Sequence, residues 1–242
     1  MPMTNNFPGG SMEEPRGFPT AERALMADNA ILWSVYRWMT FGLALTGFVA
    51  LFIPQSIAIE VAKNPMIFFG LLVGELVLVM IISLAVNRIS AATATLLFLV
   101  YATLNGLTFS IFFLAYQLGS IAQAFFVTAG TFGAMSAWGY FTKRDLTGVG
   151  HFAIMGLFGL IIASIVNIFW ANSTLYWVCT YAGVLIFTLL TAYDTQKIKR
   201  LGMAADASSE QGKKIAIQGA LILYLDFINL FLNMLRIMGK RR

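Results

Sequence analysis

A single cysteine and a single histidine occur among 242 residues, and each scarcity removes a class of chemistry. Cys179 has no second cysteine in the chain for a disulfide, and no set of thiolates exists to hold a metal. His151 cannot build a multi-histidine site, and no nucleophile is paired with a base. The chain is therefore not expected to be an enzyme, and an intramembrane protease is disfavoured on the geometry such sites need. Charge is also scarce, at 11% of residues against about 25% in a soluble domain. No lysine falls inside the long apolar runs, which excludes a retinal-type Schiff base. The glycines form no phosphate loop. They are expected instead at helix-packing positions, among them Gly70, Gly74, Gly130, Gly133, Gly156 and Gly159. No cofactor is expected.

What is abundant is apolar residues, 59% of the chain, collected into long runs. A helix needs roughly 20 mostly apolar residues to cross a bilayer. Seven runs qualify, at about 30–53, 66–86, 91–116, 121–141, 152–170, 175–193 and 215–238. The first is stopped by Pro54, and short polar connections at 87–90 and 171–174 force antiparallel neighbours. The expected fold is all-α, a polytopic membrane bundle over residues 29–242. Residues 1–28, with Pro2, Pro8, Pro15, Pro19 and the Gly9-Gly10 pair, read as a disordered polar tail and not as a cleaved signal peptide. Residues 195–214 read as a long mobile loop. No internal repeat supports an inverted-repeat transporter.

The net charge of +5 sits beside apolar runs, so it reads as membrane orientation and not as nucleic-acid binding. Arg16, Arg23, Arg88, Lys143, Arg144, Lys197, Lys199, Arg200, Lys213 and Lys214 fall on one side, and Lys63 on the other. Basic residues in short loops stay cytoplasmic, so the N-terminus is expected in the cytoplasm. Lys240, Arg241 and Arg242 conflict with this if the last segment crosses. Either it spans, as its length favours, or it re-enters.

Charged groups inside a bilayer are costly and mark function by default. Asp226 is the sharpest case. It lies near mid-depth in the last segment, on a face shared with Gly219, Ile222, Asn229 and Asn233. That stripe either glues helices together or lines a polar interior. Asp194, near the end of the sixth run, pairs with Lys197 or Lys199 on the plainest reading. If the two aspartates meet, both cannot ionise cheaply, and the pair shares a proton. Protonated, it is a hydrogen-bonded latch. Ionised, it repels itself and offers oxygen ligands to a hard cation such as Ca²⁺. Glu75 in the second run is a further acidic site on a cation path or a partner for Arg37. Arg88 either bridges to an aspartate or snorkels at the interface.

Two stretches resemble the Bax inhibitor family, also called transmembrane Bax inhibitor motif proteins. Thr191-Ala192-Tyr193-Asp194-Thr195-Gln196-Lys197-Ile198-Lys199 is similar to the signature closing that family's sixth span. The run from Gly219 through Leu225-Asp226-Phe227-Ile228-Asn229-Leu230-Phe231-Leu232-Asn233 to Arg236 is similar to its final-helix signature. Tyr36-Arg37-Trp38-Met39-Thr40 resembles its first span more weakly. The resemblance implies a seven-helix bundle whose last helix is central and surrounded by the other six. It implies a pH-sensitive Ca²⁺ leak with Asp194 and Asp226 as proton sensor, Arg88 as latch partner and Glu75 as a matching glutamate. It also implies a bacterial inner-membrane location, and links to cell-death suppression and to a membrane-bound protease. Two functions follow as expectations: a proton-gated Ca²⁺ leak, or a membrane scaffold that restrains another membrane protein such as a protease. The partners expected are the lipid bilayer, Ca²⁺ and protons.

Overall fold

The computed structural model describes residues 21–203 and 205–242, with side chains from Ala30 onward. Among the described residues there are eight helices: α1 (Ala21–Phe52), α2 (Gln55–Lys63), α3 (Pro65–Ala85), α4 (Ala91–Ala115), α5 (Leu118–Phe141), α6 (Thr147–Trp170), α7 (Ser173–Met203) and α8 (Glu210–Met238). Seven of them, all but α2, are long and apolar enough to cross a membrane. This is the expected all-α bundle.

Local chemistry accounts for the helix ends. Pro54 cannot continue α1 and sits in an extended conformation as the cap of α2. Asn64 caps α3, its Oδ1 accepting from the backbone N–H groups of Met66 and Ile67 at 3.1 and 3.4 Å. Ser90 caps α4 through Thr93 N, and Ser209 caps α8 through Gly212 N. Glu210 Oε1 accepts from Ala91 N at 2.5 Å. The first turn of α8 thus satisfies an orphan donor of α4 and ties the two helices at one end of the bundle.

Three boundaries differ from expectation. Helix α1 begins at Ala21, inside the stretch expected to be a disordered tail; residues 1–20 lie outside the described residues. The long loop expected at 195–214 is mostly helix. Helix α7 runs on to Met203 and α8 starts at Glu210. Part of the stretch read as loop is instead a packing surface, since Thr195, Gln196 and Ile198 are all buried. Helix α2 was invisible to a search for spans because it is short. Its Ala58 and Val61 share one face and are buried, and the helix packs on α4 and α3.

Helix α8 is the centre. It packs along α1, α4, α5 and α7 and touches α3, and Leu223, Tyr224 and Leu230 on it have no exposed surface. Helix α6 is held by α7 and stays outside this ring. The expectation of six helices surrounding the last is corrected to five: α6 offers only Gly150 and Ala153 to the interior. The interior is stitched by few polar groups. Thr46 Oγ1 donates to Ala102 O at 2.8 Å, so the Tyr224 hydroxyl, 2.7 Å away, donates to Thr46.

The C-terminus is resolved by pairing. Gln117 N donates to Lys240 O and Arg242 N to Ala115 O, both at 3.0 Å. Lys240 N donates to Ser120 Oγ at 3.1 Å. The chain end is therefore fastened to the α4–α5 turn, at the end of the bundle away from the 86–90, 142–146 and 205–209 connections. The last helix runs the length of the bundle and does not re-enter.

Candidate functional site

The middle of α7 is buried although it is polar: Thr191, Asp194, Thr195 and Gln196 are 0–8% exposed. Close helix approach makes this possible. A Cβ on Gly139 of α5 would land on the carbonyl of Ala192, and one on Gly150 of α6 would land on the Tyr193 ring. Gly219 of α8 faces Val35 and Ile198 across 3.0–3.3 Å, as its predicted role in close packing requires. Gly183 seats the Asn233 amide against α7. By contrast, a Cβ on Gly70, Gly74, Gly130, Gly133 or Gly159 would meet nothing within 4 Å. These are not the packing positions they were expected to be. Gly156, 3.2 Å from Ile186, is.

In this setting Asp194 and Asp226 meet. Their carboxyl groups lie within hydrogen-bonding reach of each other, and Asp226 is 4% exposed. A hydrogen bond between them requires one of the two to carry a proton, because two carboxylates offer only acceptors. Asp226 Oδ2 is buried and accepts a hydrogen bond from no N–H or hydroxyl donor among the described residues. Among the described residues neither lysine comes within ion-pair distance of Asp194. Lys197 lies over the Tyr193 ring, and Lys199 donates to Tyr140 O at 2.9 Å. The ion pair that does form near this end is Arg200–Asp145, at 2.7 Å. Thr147 and Arg200 bond the Asp145 carboxylate and hold it down at about 2. Gln196 completes the clamp, accepting from Leu146 N and donating to Arg144 O.

Glu75 lies in a second place. Its Oε1 accepts from Thr108 Oγ1 at 2.6 Å, not from Arg37, which is exposed on α1. Together with Tyr101, Asn105, Asn229 and Arg236 it lines a cavity of about 490 Å³ between α3, α4 and α8. Asn105 is 4% exposed and its Nδ2 has no partner among the described residues. Asn105, Thr108 and Arg236 were missed at the level of sequence. Asn105 and Thr108 within a long apolar run, and an arginine one turn past Asn233, were the available signals.

Arg88 is exposed in the α3–α4 turn, and its side chain meets neither aspartate among the described residues. Asn229 and Asn233 share the expected face, but they donate to their own helix, to Leu225 O and Asn229 O at 2.8 Å. Among the described residues no three His, Cys, Asp or Glu side chains gather as a metal site. A tightly held Ca²⁺, which takes six to eight oxygens, finds only two carboxyl groups at the aspartate pair.

Comparison with known proteins places the chain in a family. The profile of the family described as "Inhibitor of apoptosis-promoting Bax1" matches residues 28–242. Inner membrane protein YbhL of Escherichia coli is 48% identical over 211 residues, covering 86% of this chain and 90% of that protein. An uncharacterized protein of Borreliella burgdorferi is 42% identical over 223 residues, covering 91% and 96%. One from Deinococcus radiodurans is 41% identical over 224 residues, covering 92% and 95%. With a matching profile over nearly its whole length and relatives this similar, the chain belongs to the Bax inhibitor family of integral membrane proteins.

Proposed function

We propose that the protein is a cation leak, with Ca²⁺ as the favoured cargo, gated by proton sharing between Asp194 and Asp226. The observation that carries this reading is the contact of two buried carboxyl groups, with no ion pair to either among the described residues. With a shared proton the pair ties α7 to α8. Loss of that proton leaves two adjacent anions in a poorly hydrated space, which repel and draw in a divalent cation. The Glu75 cavity is the second polar station. The Glu75 carboxylate and the Asn105 carbonyl oxygen are of the kind a hard, partly hydrated cation takes. Two carboxyl groups bind such an ion weakly, as passage requires.

We further place the protein in a bacterial inner membrane, as YbhL is by name, with its N-terminus, the basic 86–90 and 142–146 connections and the α7–α8 connection, flanked by Lys197, Lys199, Arg200, Lys213 and Lys214, in the cytoplasm. The test is reconstitution into liposomes loaded with a Ca²⁺ dye. Flux should fall as pH falls and the pair takes up its shared proton. Asp194→Asn and Asp226→Asn, which remove the repulsion, should flatten that dependence. No flux from folded wild-type protein would reject the leak and leave the scaffold role.

A further inference from the structure

Helices α1 and α5 both pack on α8 but stand apart from each other. Between them runs a groove of about 900 Å³ with Phe227 of α8 in its floor. Its α1 wall is Trp33, Tyr36, Thr40, Ala44, Gly47 and Leu51, spaced by three or four residues along one face. From Trp33 to Leu51 the groove extends roughly 27 Å along the helix, close to the ~30 Å hydrocarbon thickness. Gly47 and Gly133 open it, since a Cβ on either would meet no atom within 4 Å.

The groove is amphipathic along its length. Toward the basic end it carries the hydroxyls of Tyr36, Thr40 and Ser136. Tyr36 and Ser136 make only long 3.4 Å contacts to Thr195, which leaves hydrogen-bonding capacity. Below Thr40 the lining is aliphatic and aromatic. Thr40 to Leu51 spans about 16 Å, one leaflet's half of the hydrocarbon core. Arg37 lies on the same ridge, one turn from Trp33 and from Thr40. It is exposed and has no ion pair or hydrogen bond among the described residues. An unpaired guanidinium at this depth is costly until it meets an anion. Lys143 and Arg144, both exposed, follow directly on the end of the α5 wall.

We propose that this groove binds a phospholipid with an anionic headgroup from the leaflet at the basic end. One acyl chain lies between α1 and α5, its ester region meets the hydroxyls, and its phosphate meets Arg37. The apolar length selects a lipid tail, since the lining below Thr40 matches one leaflet's half of the hydrocarbon core. The charge selects an anionic headgroup, because basic pockets between membrane helices favour acidic lipids. The inference does not depend on ion conduction.

The experiment uses full-length protein in mild detergent, with native mass spectrometry of bound lipid during titration by phosphatidylglycerol or by phosphatidylcholine of the same chains. Wild type should prefer phosphatidylglycerol. Arg37→Gln should reduce that preference about fivefold, the factor that follows from ~1 kcal/mol per basic residue. Gly47→Leu combined with Gly133→Leu should lower binding of both lipids by filling the groove. Gly159→Leu, whose Cβ also meets nothing within 4 Å but lies outside the groove, should change neither, and circular dichroism melts confirm that all variants are folded. Equal retention of the two lipids by wild type, or undiminished binding in the double glycine variant, overturns the proposal. So does cross-linking of a second protein helix to a cysteine placed at Thr40.

Discussion

Two glycines on one helix allow the packing that builds the aspartate pair to be measured. Gly139 and Gly133 both lie in α5, but a Cβ on Gly139 would land on the Ala192 carbonyl, whereas one on Gly133 would meet nothing within 4 Å. Replacing either with alanine removes the backbone-entropy cost of a helical glycine, a gain of up to ~1 kcal/mol that is common to both. Subtracting one variant from the other therefore isolates the steric cost of pushing α5 off α7. Overpacking costs typically ~1–3 kcal/mol, and here the neighbour is backbone that cannot rotate away. The difference should be about 3 kcal/mol, with Gly133→Ala the more stable. Reversible unfolding in mixed micelles, followed by helical circular dichroism, measures it. Ala192 is two residues from Asp194, so Gly139→Ala should also disturb the pH dependence of flux, while Gly133→Ala should not. A difference below about 1 kcal/mol would refute the claim that this contact sets the α5–α7 distance.

Tyr224→Phe deletes the hydroxyl that donates to Thr46 while Thr46 keeps its bond to Ala102. It should cost ~0.5–1 kcal/mol in the same unfolding assay, with no loss of helix. Asp145 has its carboxyl held down at about 2, so its contribution is in place above the ordinary carboxylate range and lost only as pH falls toward 2. Asp145→Asn at neutral pH should speed amide hydrogen exchange in residues 142–147, and unchanged exchange would remove the clamp from the account. A cysteine replacing Arg242 should label from the side opposite one replacing Lys213, since the chain end pairs with the α4–α5 turn. Labelling from the same side would contradict a spanning α8.

Periodicity and composition alone determined the class of this protein. Apolar runs of about 20 residues have one solution in a bilayer, a helix that satisfies its own backbone, so seven spans and their order were legible. The aspartates were legible for the same reason, because an ionisable group in such a run needs a special setting. Where helices end was less legible. The polar stretch after Asp194 looks like loop when burial is unknown, yet Thr195 and Gln196 are packing residues of α7. Only the tertiary structure decided which glycine faces a backbone and which an open groove, and that Glu75 bonds Thr108 and not Arg37. It also decided that α6 stands outside the ring. Each depends on how helices are rotated and spaced against one another, which follows from the sum of many side-chain contacts and is not written in the order of residues along any one helix.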